Sequence, residues 1–354
     1  MTTNQSILSV NHNMKRREFI KYTSLALGSA MLTACSQPNS QNNAKKSNLD
    51  SVILTIDWIA EADYGGFYQA VATGIYKNHG LDVTIIQGGP RLNNNMLLMG
   101  NNTDVILGTA PDAIKAIENN IPKISVAAIY QKYSQILIAH PNQGNDTLEK
   151  FKGKPILVSS SADATYWPVL RKKYGFTDDQ KRPYNSNLAP FLADKQAVQQ
   201  GVVNSEPFAI EKEAGFKPVV ILLSDYGYNP YSYVIQTTKK LVETNPDLVQ
   251  RFVDASIKGY YSYLENPVPG NELIKKDNPE MTDDWLNFGV TQIKKYELIT
   301  GGDAAKLGIG AMLDSRWQEF FNSMVEVKIF PPNINYKEAY TLQFVNKGVE
   351  YYKK

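Results

Sequence analysis

The chain has 354 residues, of which 43% are hydrophobic and 20% charged, and its net charge is +2. This is the composition of a globular protein long enough for two ordinary domains. With no long run of one charge sign, no basic helix and no zinc-finger spacing, it offers no footprint for nucleic acid. The single cysteine, Cys35, excludes a disulfide within the chain and any metal site built from several cysteines.

From Met14, an alternative start, the sequence reads as an address. Lys15, Arg16 and Arg17 precede an apolar run over 25–32 that is too short to span a bilayer. Arg16-Arg17-Glu18-Phe19-Ile20-Lys21 resembles the twin-arginine export signal. Leu32-Thr33-Ala34-Cys35 resembles the bacterial lipobox, which implies cleavage before Cys35 and acylation of its sulfur. The alternative is an ordinary signal peptide with a chance cysteine. Residues 1–34 are thus expected to be a signal peptide and 35–50 a polar, lipid-anchored flexible tether. The body is expected at the periplasmic or cell-surface face of a membrane.

In the body, 52–56 reads as a strand, 68–76 as a helix capped by Gly80, and 81–86 as a strand stopped by Gly88-Gly89-Pro90. A helix over 94–99, a strand over 104–107, a helix beginning at Pro111 and a strand over 124–130 follow. This alternation predicts a parallel sheet covered by helices. A second such unit has a strand over 155–158, helices over 164–174 and 197–200, and strands at 202–203 and 218–223. After Tyr231 the pattern turns helical, with amphipathic segments over 246–264, 282–296 and 314–325.

The stretch D-W-I-A-E-A-D-Y-G-G-F-Y-Q-A-V-A over 57–72, with N-N-T-D-V-I-L-G, F-K-G-K-P-I-L-V-S-S-S and N-S-E-P-F-A-I-E-K further on, resembles the thiamine-pyrimidine-precursor binding proteins. These are SsuA/ThiY-like substrate-binding proteins of ABC transporters, with sulfonate and nitrate binders as relatives. The motifs are weak singly and specific in their order and spacing. The resemblance implies an α/β, type II periplasmic-binding-protein fold with two Rossmann-like lobes, a ligand cleft and two crossover strands. It places lobe one at 51–136 and 232–354 and lobe two at 137–231. It also implies a monomer that passes a small-molecule ligand to a transporter permease, with no cofactor.

In open α/β sheets ligands sit beyond the carboxyl ends of the strands. After the first strand, Trp58 offers a stacking face, or a core ring. Tyr64 and Tyr68 flank Gly65-Gly66, where backbone could approach a ligand, although Tyr68 could equally be a core residue. Gly108 and Thr109 follow the third strand. Ser159, Ser160 and Thr165 open a helix and suit an anion or a carbonyl oxygen, unless they serve only as caps. Glu206 follows a strand of the other unit and can accept two hydrogen bonds from an aminopyrimidine edge, or be a surface residue before Pro207. Tyr228 follows the last strand of that unit. Arg91 is the one arginine in these loops, so a neutral or weakly basic flat heterocycle fits better than a sulfonate or nitrate.

A pyrimidine-synthesising enzyme of the same fold carries a histidine in the first loop and a cysteine-rich motif. Tyr64 stands where that histidine would be. His79 and His140 have no catalytic companion nearby in sequence, and no metal-ligand cluster stands out. A binding protein, not an enzyme, is expected.

Overall fold

The computed structural model describes residues 49–89 and 92–353. The expected signal peptide, Cys35, most of the tether and Arg91 lie outside them.

The first lobe opens on β1 (Asp50–Thr55), where Val52 and Leu54 point into the core. Helix α1 (Gly65–Ala72) leads to β2 (Leu81–Ile86), α2 (Asn94–Met99) to β3 (Val105–Thr109), and α3 (Ala110–Glu118) to β4 (Lys123–Tyr130). The caps are local: Asn93 accepts from the Met96 N–H and Thr109 from the Asp112 N–H, with Pro111 in the first turn of α3. The chain then crosses through 131–134 to a second sheet.

There it forms β5 (Gln135–Ala139), β6 (Ile156–Val158), α4 (Trp167–Tyr174), β7 (Lys181–Pro183), β8 (Val198–Val202), α5 (Glu206–Ala214) and β9 (Val219–Leu222). The segment 223–231 returns it to the first sheet as β10 (Ser232–Thr238). Helices α6 (Pro246–Glu265), α7 (Asp283–Lys295) and α8 (Asp314–Glu326) complete the first lobe, α6 lying along α1.

The strand orders are β2-β1-β3-β10-β4 and β7-β6-β8-β5-β9. Both sheets are mixed, not parallel as the alternation suggests. β10 runs antiparallel to β3 and β4, and β5 antiparallel to β8 and β9. Each of these two strands enters its sheet from the other lobe, at the end where the neighbouring strands finish, so it must run the opposite way.

Three further expectations are corrected. The segment expected as a helix over 197–200 lies in β8: its apolar residues do not alternate, because Gln199 is itself fully buried. The chain after Tyr231 is first a strand, β10, and only then helical. The helix expected over 164–174 begins as a 3-10 turn, Ser160–Ala164, and becomes α-helical at Trp167.

Candidate functional site

β1, β3 and β4 end, and β10 begins, on one side of the first sheet; the ends of β6, β8 and β9 and the start of β5 face them from the second. The loop after β1 supplies most of the first wall. Asp57 is exposed to the water of the cleft, yet the protein around it pushes its carboxyl up to about 6. Donation from the Tyr64 hydroxyl at 3.0 Å opposes that rise, and the Asp63 charge adds to it.

Asp63 is 1% exposed. It accepts from the Tyr130 hydroxyl at 2.9 Å and from the Asn204 amide of the opposite lobe at 2.5 Å, and the Tyr260 hydroxyl donates to its backbone carbonyl at 2.7 Å. Burial raises its pKa, and hydrogen bonds led by Tyr233 restrain the rise. Glu61, half-buried, is raised well above the carboxylate range by burial and then by the charges of Asp63, Glu206 and Asp57.

Tyr233 reaches this wall through a break in β10. The pairing with β3 shifts between Ser232 and Val234, and Tyr233 takes φ +48° in the left-handed region. Its ring lies 4.2 Å from Tyr130 and 5.5 Å from Tyr64.

The second wall is built on β8. Glu206, the first residue of α5, accepts from the Val202 backbone N–H at 2.6 Å and from the Tyr184 hydroxyl at 3.3 Å. Burial raises its pKa against those donors, with Asp63 adding. Ser159 donates its N–H to Gln200 at 2.6 Å, and its hydroxyl pairs with Ser161 at 2.8 Å. Ser160 is exposed, and Thr165 donates to the Ser161 carbonyl at 2.8 Å. Tyr228 is buried against Tyr133 and Tyr166.

Two openings lie along these walls, and Asp57 lines the first of them. One of about 500 Å³ is lined by Asp57, Asn94, Gly108 and Thr109, and one of about 510 Å³ lies between Thr109 and Asp112 of the first lobe and Ser160, Ser161 and Thr165 of the second. The structure therefore brings Tyr64 and Glu206 to the carboxylate cluster and Gly108, Thr109, Ser160 and Thr165 to the openings. Trp58 is half-buried beside the core. Gly66 and Tyr68 sit elsewhere. A Cβ on Gly66 would lie 2.2 Å from the Tyr260 ring, so this glycine gives α6 its close approach, and Tyr68 is fully buried in α1.

The model of the family described as "NMT1/THI5 like" matches residues 61–269, more than half of the chain. The chain belongs to the NMT1/THI5-like family. The matched segment starts at Glu61 and takes in all of the second sheet. Among curated proteins, the riboflavin-binding protein RibY of Chloroflexus aurantiacus is 23% identical over 340 residues, covering 90% of this chain and 95% of that protein. A formylaminopyrimidine-binding protein of Halalkalibacterium halodurans is 26% identical over 299 residues, covering 79% and 84%. Among solved structures, the periplasmic aliphatic sulphonate binding protein SsuA of Escherichia coli superimposes with a TM-score of 0.60 at 11% identity, over 82% of this chain and 91% of that one. The desulfurization enzyme DSZB superimposes with a TM-score of 0.54 at 13% identity, over 83% and 97%. These likenesses establish the periplasmic-binding-protein fold, which hosts both binders and an enzyme.

Within this family frame, sequence reading passed over Asp57, Glu61, Asp63, Tyr130, Asn204 and Tyr233 as site residues. Asp57, Glu61 and Asp63 lie in the family-like stretch that begins at Asp57, and three acids in seven positions beside glycines were a usable signal. Tyr130 and Tyr233 carried none: Tyr130 reads as an ordinary strand residue, and Tyr233 falls in the stretch after Tyr231 that reads as helical.

Proposed function

We propose that the protein is a solute-binding protein that closes its two lobes on a small flat heterocycle bearing N–H donors, of the aminopyrimidine kind, and delivers it to an ABC importer. The observation that carries this reading is the convergence of hydrogen-bond acceptors and tyrosine rings from both lobes, joined by the Asn204–Asp63 hydrogen bond. Glu206 has its two oxygens held by the Val202 N–H and Tyr184, and a carboxylate has lone pairs left for a ligand edge. The names of the curated relatives, which bind riboflavin and formylaminopyrimidine, support a flat nitrogen heterocycle. Among the described residues the two histidines hold backbone: the His140 ring bonds the Phe191 carbonyl at 2.8 Å and stacks on the Phe191 ring, and the His79 ring bonds the Ile75 carbonyl at 2.8 Å.

Calorimetric titration of wild type and Glu206→Gln with formylaminopyrimidine is the test. A hydrogen bond to a charged acceptor contributes about 1.5–3 kcal/mol, so the variant should bind roughly tenfold to hundredfold more weakly. Equal affinity removes Glu206 from the site. If wild type binds an alkanesulfonate and no heterocycle, the protein is instead a binder of sulfonates or other small organic solutes.

A further inference from the structure

The two openings share Thr109 and Asp112, so they meet at the first turn of α3. Behind that junction lies a buried lysine. Lys123, at the start of β4, has a side chain only 1% exposed. Its Nζ donates to the Asp112 carboxylate, to the side-chain carbonyl of Asn95 in α2 at 2.8 Å and to that of Gln236 in β10 at 2.8 Å. An ammonium has three donors, and all three are taken. Burial works against its charge, and Asp112 opposes that effect.

The partners are tied in turn. Gln236 is fully buried and donates its amide to the Thr109 carbonyl at 3.3 Å, and Asn95 donates its own to Asp112 at 3.5 Å. A Cβ on Gly108 would stand 2.6 Å from an Asp112 oxygen and 2.7 Å from the Gln236 oxygen, so this glycine leaves the room the two acceptors need. Of these four side chains Asp112 alone lines both openings, and it is 37% exposed. One of its oxygens is held by Lys123; among the described residues the other receives only the long contact from Asn95. A carboxylate has about four lone-pair sites, so acceptor capacity is left where the openings meet. Replacing a buried ion pair by apolar residues is often neutral or stabilising, and packing by itself does not account for an ammonium sealed behind one cleft carboxylate.

We propose that Asp112 is a ligand contact, an acceptor fixed at the junction of the two openings, and that Lys123 acts through it as a positioning residue. This rests on the reading of the cleft as a solute site and adds the selection made there. The charges of Lys123 and Asp112 offset each other, so the junction reads hydrogen bonding more than net charge. A heterocycle N–H finds an acceptor already held in place. A sulfonate brings only acceptors, which meet another acceptor while the lysine's donors are spent.

Calorimetric titration of the full chain with formylaminopyrimidine, or with riboflavin where wild type binds only that, tests both halves. Asp112→Asn keeps an oxygen for Lys123 and loses the charged acceptor. It should bind about tenfold more weakly while melting within a few degrees of wild type. Lys123→Met keeps the reach of the side chain and removes its charge. It should weaken binding severalfold in the wild-type background and no further beside Asp112→Asn, a non-additivity that the double-mutant cycle measures directly. A lysine that served packing alone would cost the same factor in both backgrounds. Asp112→Asn decides the contact whether or not Lys123→Met folds. Equal affinity in wild type and Asp112→Asn, or an equal factor for Lys123→Met in both backgrounds, overturns the proposal and leaves the solute-binding reading intact. A wild type that binds no heterocycle ends that reading, and this inference with it.

Discussion

Tyr233 occupies a conformation that costs a non-glycine residue about 1–2 kcal/mol, and it does so in a strand interior. The bulge re-aims its ring between Tyr64 and Tyr130 and its hydroxyl toward Asp63. Strain of this kind persists where the surroundings over-determine it, typically at a binding site. The same wall sets the pH response. Asp57, Glu61, Asp63 and Glu206 all titrate higher in the folded protein than in the unfolded chain. Groups raised in this way stabilise the fold fully below their unfolded pKa and lose that contribution as pH climbs through the folded one. The depressed carboxylates, Asp146, Asp178, Glu326 and Glu338, pull the other way, but they are surface pairs with lysines or a tryptophan and are worth little. The ligand-free protein is therefore expected to melt higher at pH 5 than at pH 7.5, with Asp57→Asn flattening the part of the slope near pH 6. A melting temperature that rises with pH over that window contradicts the assignment.

At the level of elements, the site depends on how closely α1 meets α6. Cβ atoms on Gly65 and Gly66 would fall 2.0 Å from the Tyr263 ring and 2.2 Å from the Tyr260 ring, so the two glycines let the tyrosines lie flat on the α1 backbone. Tyr260 in turn fixes the Asp63 carbonyl. Gly66→Ala must push that ring outward, and overpacking of this kind costs about 1–3 kcal/mol. Thermal denaturation should show the loss, and ligand affinity should fall with it because Asp63 loses its support. An unchanged melting temperature would mean the helices can separate freely. The element pattern itself was partly legible. Asn94–Met99 and Leu81–Ile86 form where periodicity and the flanking glycines and asparagines put them. β8 was not, since V-Q-Q-G-V shows no alternation that reports a central strand, and its burial comes from neighbours far away in sequence.

For the molecule as a whole, one side chain governs how the lobes are joined. Arg316 of α8 donates to the Gln131 carbonyl in one crossover and, at 3.5 Å, to the Asn229 carbonyl in the other. Its guanidinium lies 4.0 Å from the centre of the Tyr231 ring and pairs with Asp303 at 3.4 Å. Such a planar fork cannot be replaced by a lysine. Elsewhere between the two sheets' helices, Phe208 of α5 packs at 5.4 Å against both Trp285 and Phe288 of α7. Wild type should become more compact in small-angle scattering when ligand is added. Arg316→Lys should remain more expanded at the same ligand concentration and bind more weakly, because a binding-competent arrangement that is less populated lowers apparent affinity by that fraction. Identical scattering curves for the two proteins would show that the clamp does not bias closure.

Local chemistry was enough to write most of this chain's strands and helices and its division into two α/β units, because capping, glycine stops and side-chain periodicity act over a few residues. It also brought forward Glu206, as the carboxylate that follows a strand, and Tyr64, as a neighbour of Gly65-Gly66. Only the tertiary structure decided that β5 and β10 run against their neighbours, and that Asp63 and Asn204, 141 residues apart, share one hydrogen bond. It likewise showed Gly66 to be the seat of a tyrosine ring. Those outcomes depend on which distant surfaces meet, and on the charge and burial that the meeting creates, and no local pattern encodes either.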